Sequence, residues 1–448
     1  MHREAGRKAV RAAAWVVGGY GVSQLLRLGG NLVLARILAP ELFGTMAIAQ
    51  VFVLGLGLLS DIGLEPAVIR SGRAGDQAFL NTAWTLQAVR GVGLWVLSAA
   101  IAYPVSRFYS QPTLLLAVPA IGFSSVLVGL KSTTLIILNR ELRQGTLATM
   151  ELSVQAVSLG CTILLAYFLH SIWALVVGGI VSALVQLVWS HLLRGPVRNR
   201  FAFERAAAHE VLSFGKWVLF STAMTFLATQ ADRLLLGRMF PLAFFGVYNI
   251  AVMFATLPKE VVTRVAEKVV FPLFSQLAHS SREELRAAIR RQRARLIFAL
   301  AVLVAAFASF ADVLIVQLYD ARYREAAWIL PILAAGVWPL ILYASMDRSL
   351  YVIGKPIYPA IGNLAKFLYV IAAVPLGYRL GGGPGAVVAV ALNEVPMYAV
   401  VNYGLARERL SLLGQDGVAT LIFLAALAAC LAVRLATGMG LPVQVLFP

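Results

Sequence analysis

Apolar runs of membrane-spanning length follow one another along almost the whole chain. A helix needs roughly 20 such residues to cross a bilayer. Thirteen runs meet that length, at 13–37, 43–67, 83–105, 114–138, 147–169, 172–193, 211–237, 244–274, 295–318, 328–351, 357–378, 385–405 and 416–437. Of 448 residues, 60% are hydrophobic and 13% charged, about half the charged share of a soluble domain. Such a chain cannot solvate its surface in water, so lipid is its solvent. The polar gaps are loop-sized, and no soluble domain fits between the runs.

The net charge is +17, which in a soluble protein would suggest nucleic acid. The placement of the charges says otherwise. With the N-terminus inside, twenty-one Lys and Arg flank the inner ends of the runs, Arg3, Arg7, Lys8 and Arg293 among them. Seven flank the outer ends: Arg36, Arg107, Arg238, Arg322, Arg324, Arg379 and Arg434. The positive-inside rule then places the N-terminus in the cytoplasm, with anionic inner-leaflet lipid as the counterion and no nucleic acid as partner. The basic start, residues 1–11, precedes a run too long for a signal peptide, and that run is interrupted by Arg27; it is expected to be the first span. Cys161 and Cys430 fall inside spans and read as small apolar residues.

A repeat recurs at an offset of 202 residues. Leu32-Val33-Leu34-Ala35-Arg36 aligns with Leu234-Leu235-Leu236-Gly237-Arg238, Phe43-Gly44 with Phe245-Gly246, and Ile48-Ala49 with Ile250-Ala251. Trp15 meets Trp217 and Glu65 meets Glu267. Matches of Arg, Phe, Gly, Trp and Glu without a gap point to duplication. The second copy begins at the seventh run, so both copies enter from the same side, as in a parallel repeat. The fold expected is an all-α polytopic membrane protein of two six-helix bundles, with one or two C-terminal helices added. The boundaries expected are 1–193 for the first lobe, 194–210 for a cytoplasmic linker, 211–405 for the second lobe, and 406–448 for an extra helix and tail. Residues 278–295 read either as an amphipathic helix on the inner leaflet or as a charged loop.

Ionisable groups inside spans are costly and therefore point to function. Gln24, Arg27 and Asn31 share one face of the first helix. Arg90, Lys131 and Lys366 lie in the third, fourth and eleventh. Thr222, Thr225, Thr229 and Asp232 form a stripe on the seventh, with Arg233 beside it. Thr256, Glu260, Thr263, Arg264 and Glu267 line a face of the eighth, after Pro258, which is expected to bend or break the helix. Pairs such as Asp347 with Arg348, or Arg264 with Glu260, can also simply neutralise one another. Together the basic groups suit an anionic ligand, because Arg and Lys bind phosphate strongly. The candidate substrate-binding residues are Arg27, Asn31, Arg90, Lys131, Arg264 and Lys366. Buried carboxylates can couple to an ion gradient; the candidates are Asp61, Glu65, Asp232, Glu260, Glu267 and Glu394. The sequence holds no nucleotide-binding P-loop and no His/Cys cluster, so neither cofactor nor metal is expected. The outer loops are short, which disfavours an enzyme.

Arg36-Ile37-Leu38-Ala39-Pro40-Glu41-Leu42-Phe43-Gly44 resembles the opening signature of the polysaccharide transporter family, the Wzx-like O-antigen and exopolysaccharide flippases. So do Asp61-Ile62-Gly63-Leu64, Leu138-Asn139-Arg140-Glu141-Leu142-Arg143, Asp232-Arg233-Leu234-Leu235-Leu236-Gly237-Arg238, Phe245-Gly246-Val247-Tyr248, Val270-Phe271-Pro272-Leu273-Phe274-Ser275 and Gly354-Lys355-Pro356. The family sits in a superfamily with the MATE exporters and the lipid II flippase. The resemblance implies two six-helix bundles working by alternating access, with a cationic cavity between them. Its substrate class would be an undecaprenyl-pyrophosphate-linked oligosaccharide, carried from the inner to the outer leaflet of the bacterial cytoplasmic membrane. A polysaccharide polymerase and glycosyltransferases are the protein partners it suggests. Alternatives are a MATE-like drug or cation exporter, which would want acids in place of Arg27, and a glycan polymerase or ligase.

Overall fold

A computed structural model describes residues 2–71, 73, 75–141, 143–193, 199–265 and 282–444. All its regular elements are helices. The chain divides into two compact units, Met1–Phe226 and Leu227–Pro448. The division falls inside one long helix.

The first unit opens with α1 (His2–Ile37), then α2 (Pro40–Leu59) and α3 (Leu64–Arg70), α4 (Gln77–Tyr109), α5 (Leu114–Gly129) and α6 (Thr134–Arg140), α7 (Gln144–Leu169) and α8 (Ile172–Leu192). The first half of α9 (Arg205–Met239) completes it. Two of the expected spans are broken. The second run stops at Ser60 and restarts after Gly63, whose φ of 60° suits glycine. The fourth bends by 66° between α5 and α6. Leu64, Val68, Phe79, Ala83, Ile136 and Val211 pack α3, α4, α6 and α9 into one core.

Residues 199–204, which lead into α9, are pinned to the first unit by hydrogen bonds. Backbone N–H groups at alternate positions, Arg200, Ala202 and Glu204, donate to Asn81 Oδ1 (3.1 Å), Thr85 Oγ1 (3.1 Å) and Thr82 Oγ1 (3.0 Å) on α4. Asn199 accepts from Ser132 Oγ and donates to Thr133 Oγ1, both at 2.8 Å. Period-two spacing is what an extended strand offers, and Thr and Asn side chains near the start of α4 supply the acceptors. Arg73 fastens the end of the strap, reaching Glu204 at 2.8 Å and Asp76 at 2.5 Å.

The Arg73 guanidinium, helped by the Ala78 N–H, holds the Asp76 carboxyl below the usual carboxylate range. A depressed carboxylate favours the folded arrangement above its unfolded value and loses that advantage as pH falls through the folded one. The Arg73–Asp76 half of the latch should thus be fully formed at neutral pH and weaken only in acid. Arg73→Ala should open it at neutral pH, read as faster tryptic cleavage at Arg200 and Arg205. The unfolding temperature should barely change, because exposed ion pairs contribute little. Unchanged cleavage would remove the latch.

The second unit takes the rest of α9 and α10 (Leu242–Val265). Then come α11 (Arg282–Leu318), α12 (Ala326–Gly336), α13 (Trp338–Ala344), α14 (Asp347–Val352), α15 (Ile357–Ala391), α16 (Glu394–Arg407) and α17 (Leu413–Ala436). The offset of 202 reappears in the helix ends: α1 and α9 stop at Ile37 and Met239, and α2 and α10 start at Pro40 and Leu242. Pro258 does not interrupt α10, which runs on to Val265. The segment read as amphipathic helix or loop is neither a separate helix nor a loop from Arg282 onward: it is the first part of α11, continuous with the ninth span. The eleventh and twelfth spans are joined by a turn at Gly381-Gly382, where φ is 57° at Gly382. Gly377 and Gly385 face each other beside it; a methyl group on Gly377 would stand 2.5 Å from the Gly385 carbonyl oxygen.

Among the described residues nine helical stretches are long and apolar enough to cross a membrane, or ten with the bent α5–α6 pair. The stretch Ile357–Arg407 counts once in that number although it contains the glycine turn. Helices α1 and α9 cover the first and seventh expected runs but fall outside this number. The chain is a multi-pass membrane protein. Its second unit closes over Ile297, Ala301 and Val304 of α11, Leu340 and Ile341 of α13, Val401 and Leu405 of α16, and Ala419 and Phe423 of α17. Trp338 stacks on Phe423 with ring centroids 4.8 Å apart.

Candidate functional site

Within the second unit, α9, α10, α12, α13, α15 and α16 line a half-open cavity of about 220 Å³. Its wall carries three cations, Arg233, Lys259 and Lys366, and two carboxylates, Asp232 and Glu394. The remainder is largely small or apolar, including Ala228, Val252, Leu333 and Gly336.

Glu394 organises the site. It opens α16 just after the turn at Leu392-Asn393, where the positive end of a helix favours a carboxylate. Lys366, buried in the first third of α15, donates to its Oε1 at 2.7 Å. Tyr343 of α13 donates to Oε2 at 2.9 Å. Lys259 of α10 reaches Oε1 at 3.8 Å, an ion pair beyond hydrogen-bonding distance. Nearby, Tyr248 donates to Asp232 Oδ2 at 2.8 Å. The arrangement offers a net positive cavity in low dielectric, where each charge counts for more than in water.

Of the residues singled out from the sequence, Thr229, Asp232, Arg233, Thr256, Lys366 and Glu394 line this cavity. Lys259 was missed, though Thr256, Lys259 and Thr263 follow the three- and four-residue spacing of one helix face. Tyr343 had no signal in the sequence. Glu260 lies half-buried on α10. The Arg264 side chain and all of Glu267 lie outside the described residues, as does the stretch 270–275. Asp347 and Arg348 stand 3.9 Å apart in α14, beyond hydrogen-bonding distance.

In the first unit, Arg90 does different work. It donates to the Gly57 carbonyl and to Ser60 Oγ, at 2.5 and 3.1 Å, where the break in α2 frees acceptors. One turn earlier, Gln87 serves the carbonyls of Val128 and Gly129 at the end of α5, at 3.1 and 3.0 Å. Trp84 donates to the Leu130 carbonyl at 3.1 Å. A single face of α4 thus braces both broken spans. Asp61 accepts from the Gly63 N–H at 3.0 Å, and Glu65 from Asn139 at 3.0 Å. Lys131 donates to Gln186 at 3.0 Å. Arg27 is exposed on α1 and Asn31 half-buried. Among the described residues no three His, Cys, Asp or Glu side chains gather as a metal site would need.

The helix order matches transporters of known structure. The lipid II flippase MurJ, in an inward closed conformation, superposes with a TM-score of 0.74 over 95% of this chain and 93% of its own, at 14% identity. An inward-facing multidrug resistance MATE family transporter of the MOP superfamily gives 0.67 over 86% and 94%, also at 14% identity. The fold is that of these membrane transporters. Residues 33–328 match the family described as polysaccharide biosynthesis protein, and the chain belongs to that family. Among curated relatives, the succinoglycan biosynthesis transport protein ExoT of Rhizobium meliloti (strain 1021) is 29% identical over 55% of this chain and 50% of its own length. The lipopolysaccharide biosynthesis protein WzxC of Escherichia coli (strain K12) is 23% identical over 62% of this chain and 56% of its own. The chain thus spans about half the length of the curated relatives it matches.

Proposed function

We propose that this protein is a flippase for a lipid-linked oligosaccharide, working by alternating access between its two lobes. In this reading it carries an undecaprenyl-pyrophosphate-linked repeat unit from the inner to the outer leaflet of a bacterial cytoplasmic membrane, for O-antigen, capsule or exopolysaccharide export, and its N-terminus is cytoplasmic. The observation that carries the reading is the positive cavity of the second unit, with three cations against two carboxylates. A pyrophosphate leaving water needs such a counter-charge; an organic cation would be repelled. The names of the relatives, a succinoglycan transport protein among them, support the same substrate class. Arg27 and Asn31, one turn apart on the first helix, are the first unit's candidates for substrate contact. Coupling to an ion gradient, where it exists, falls in this reading to Asp232, which is held by a tyrosine.

The test is reconstitution. Vesicles holding the purified protein and a fluorescent prenyl-pyrophosphate-linked oligosaccharide should expose the inner-leaflet label to an external quencher, while protein-free vesicles should not. Efflux of an organic cation without lipid movement would instead establish an exporter. Growth of the glycan in detergent would establish a polymerase.

A further inference from the structure

The two lysines on Glu394 are not equivalent. Lys366 is 5% exposed, hydrogen-bonded to Oε1 at 2.7 Å, and faces a carboxylate whose other oxygen is taken by Tyr343. That half of the cluster is buried, one ammonium, one carboxylate and one hydroxyl joined by two hydrogen bonds. Lys259 is different. Its side chain is 36% exposed, and it approaches the same Oε1 only at 3.8 Å. Glu394 carries one negative charge, and Lys366 already answers it. Asp232 is held by Tyr248, and Arg233 reaches Gln230 at 3.4 Å. Of the two lysines on Glu394, the charge left over is that of Lys259.

We propose that Lys259 is the residue of this cavity that grips an anionic phosphate or pyrophosphate group, and that Glu394 is a built-in competitor that holds it until the ligand arrives. Lys366 serves as the fixed counter-ion of Glu394 and does not touch the ligand. An incoming phosphate oxygen needs to draw Lys259 away from a contact that is not a hydrogen bond, and it can then form one. It gains nothing from Lys366, whose departure would leave Glu394 buried and unanswered. A competitor of this kind lowers the positive charge of the empty cavity and weakens its grip on the ligand, so that release on the far side is not prevented by an overly tight complex.

This inference rests on the flippase reading for its ligand class, and its test keeps the two apart. Binding of inorganic pyrophosphate to the purified full chain is measured by calorimetry, alongside the vesicle translocation assay. Lys259→Met should lower affinity at least about tenfold, the loss of one charge-assisted hydrogen bond. Glu394→Gln alone should raise it about tenfold by releasing Lys259. The double variant Lys366→Met with Glu394→Gln removes the fixed pair together, so Lys259 is set free and affinity should equal or exceed that of the wild type. Loss of binding in a folded double variant, as a simple cluster of attracting lysines would give, overturns the proposal; so does wild-type affinity in Lys259→Met. Circular dichroism and size-exclusion profiles establish folding, and Lys259→Arg, which keeps the charge, should retain most of the affinity. A wild-type protein that binds pyrophosphate through Lys259 but translocates no lipid would refute the flippase reading and leave the site standing. One that translocates lipid normally with Lys259→Met would do the reverse.

Discussion

Arg434→Met is expected to cost about 3–5 kcal/mol of stability, the range for breaking a buried ion pair by removing one partner. Arg434, 2% exposed near the end of α17, meets Asp312 of α11 with both terminal nitrogens, at 2.5 and 2.7 Å, and donates to the carbonyls of Ser309 and Gly440. Methionine fills much of the volume but strands the Asp312 carboxylate in a dry site. At the other end of the same helices, Arg293 of α11 pairs with Asp416 of α17 at 2.5 Å and bonds Ser345, Gln415 and the Leu342 carbonyl. The two clamps have opposite polarity: Arg then Asp along α11, Asp then Arg along α17. They are nineteen residues apart on α11 and eighteen on α17, about 28 Å at ~1.5 Å per residue, close to the ~30 Å of a bilayer core. Such an arrangement fits the parallel register and no other, because reversing α17 would set Arg against Arg and Asp against Asp, and sliding it would leave buried charges without their partners. Unfolding in detergent should show the loss for Arg434→Met and recover most of it in Arg434→Met with Asp312→Met, which removes both charges. A single variant as stable as the wild type would show that the pair does not hold α17.

These clamps mark where the sequence stops being informative. Arg293 and Arg434 entered the charge count as residues at the membrane surface, and both are buried inside the second unit. Their partners lie more than 120 residues away, and no local pattern links them. What was legible depended on periodicity and local chemistry. The apolar runs located the helices, and the 202-residue offset anticipated where α9 stops and α10 starts. The last helix looked like an appendage only because its two anchoring pairs are long-range.

The candidate site divides in the same way. Cost of burial alone was enough to mark Lys366 and Glu394, since a charge inside a span must be paired or functional. It could not say that these two pair with each other, nor that Arg90 spends its guanidinium on a broken helix. A break in a span frees carbonyls, and the residue that answers them is chosen by packing, here three residues along from Gln87 on α4. The breaks themselves had weak local signs: Asp61-Ile62-Gly63 at one and Lys131-Ser132-Thr133 at the other are polar or glycine-containing interruptions in apolar runs.

Gly336→Leu is expected to damage stability and binding together. Gly336 ends α12 where it crosses the end of α15, and a methyl group placed there would run into the backbone of Ala391, 2.7 Å from its Cα. Backbone cannot rotate aside as a side chain can, so the two helices must separate, at about 2–3 kcal/mol for an overpacked interface. Ala391 is three residues from Glu394, and both Gly336 and Ala391 line the cavity. Separation at this crossing moves the start of α16 and lengthens the bonds from Tyr343 and Lys366 to the carboxylate; Glu394, less well answered by its fixed counter-ion, then holds Lys259 more tightly, so pyrophosphate affinity should fall about tenfold or more. Gly93→Ala supplies the contrast. It lies within α4 with open space around the added methyl, and alanine should gain about 0.5–1 kcal/mol there through helix propensity. Thermal unfolding and calorimetry on both variants decide the matter. If Gly336→Leu unfolds and binds as the wild type does, the close approach of α12 and α15 is not what shapes the cavity around Glu394.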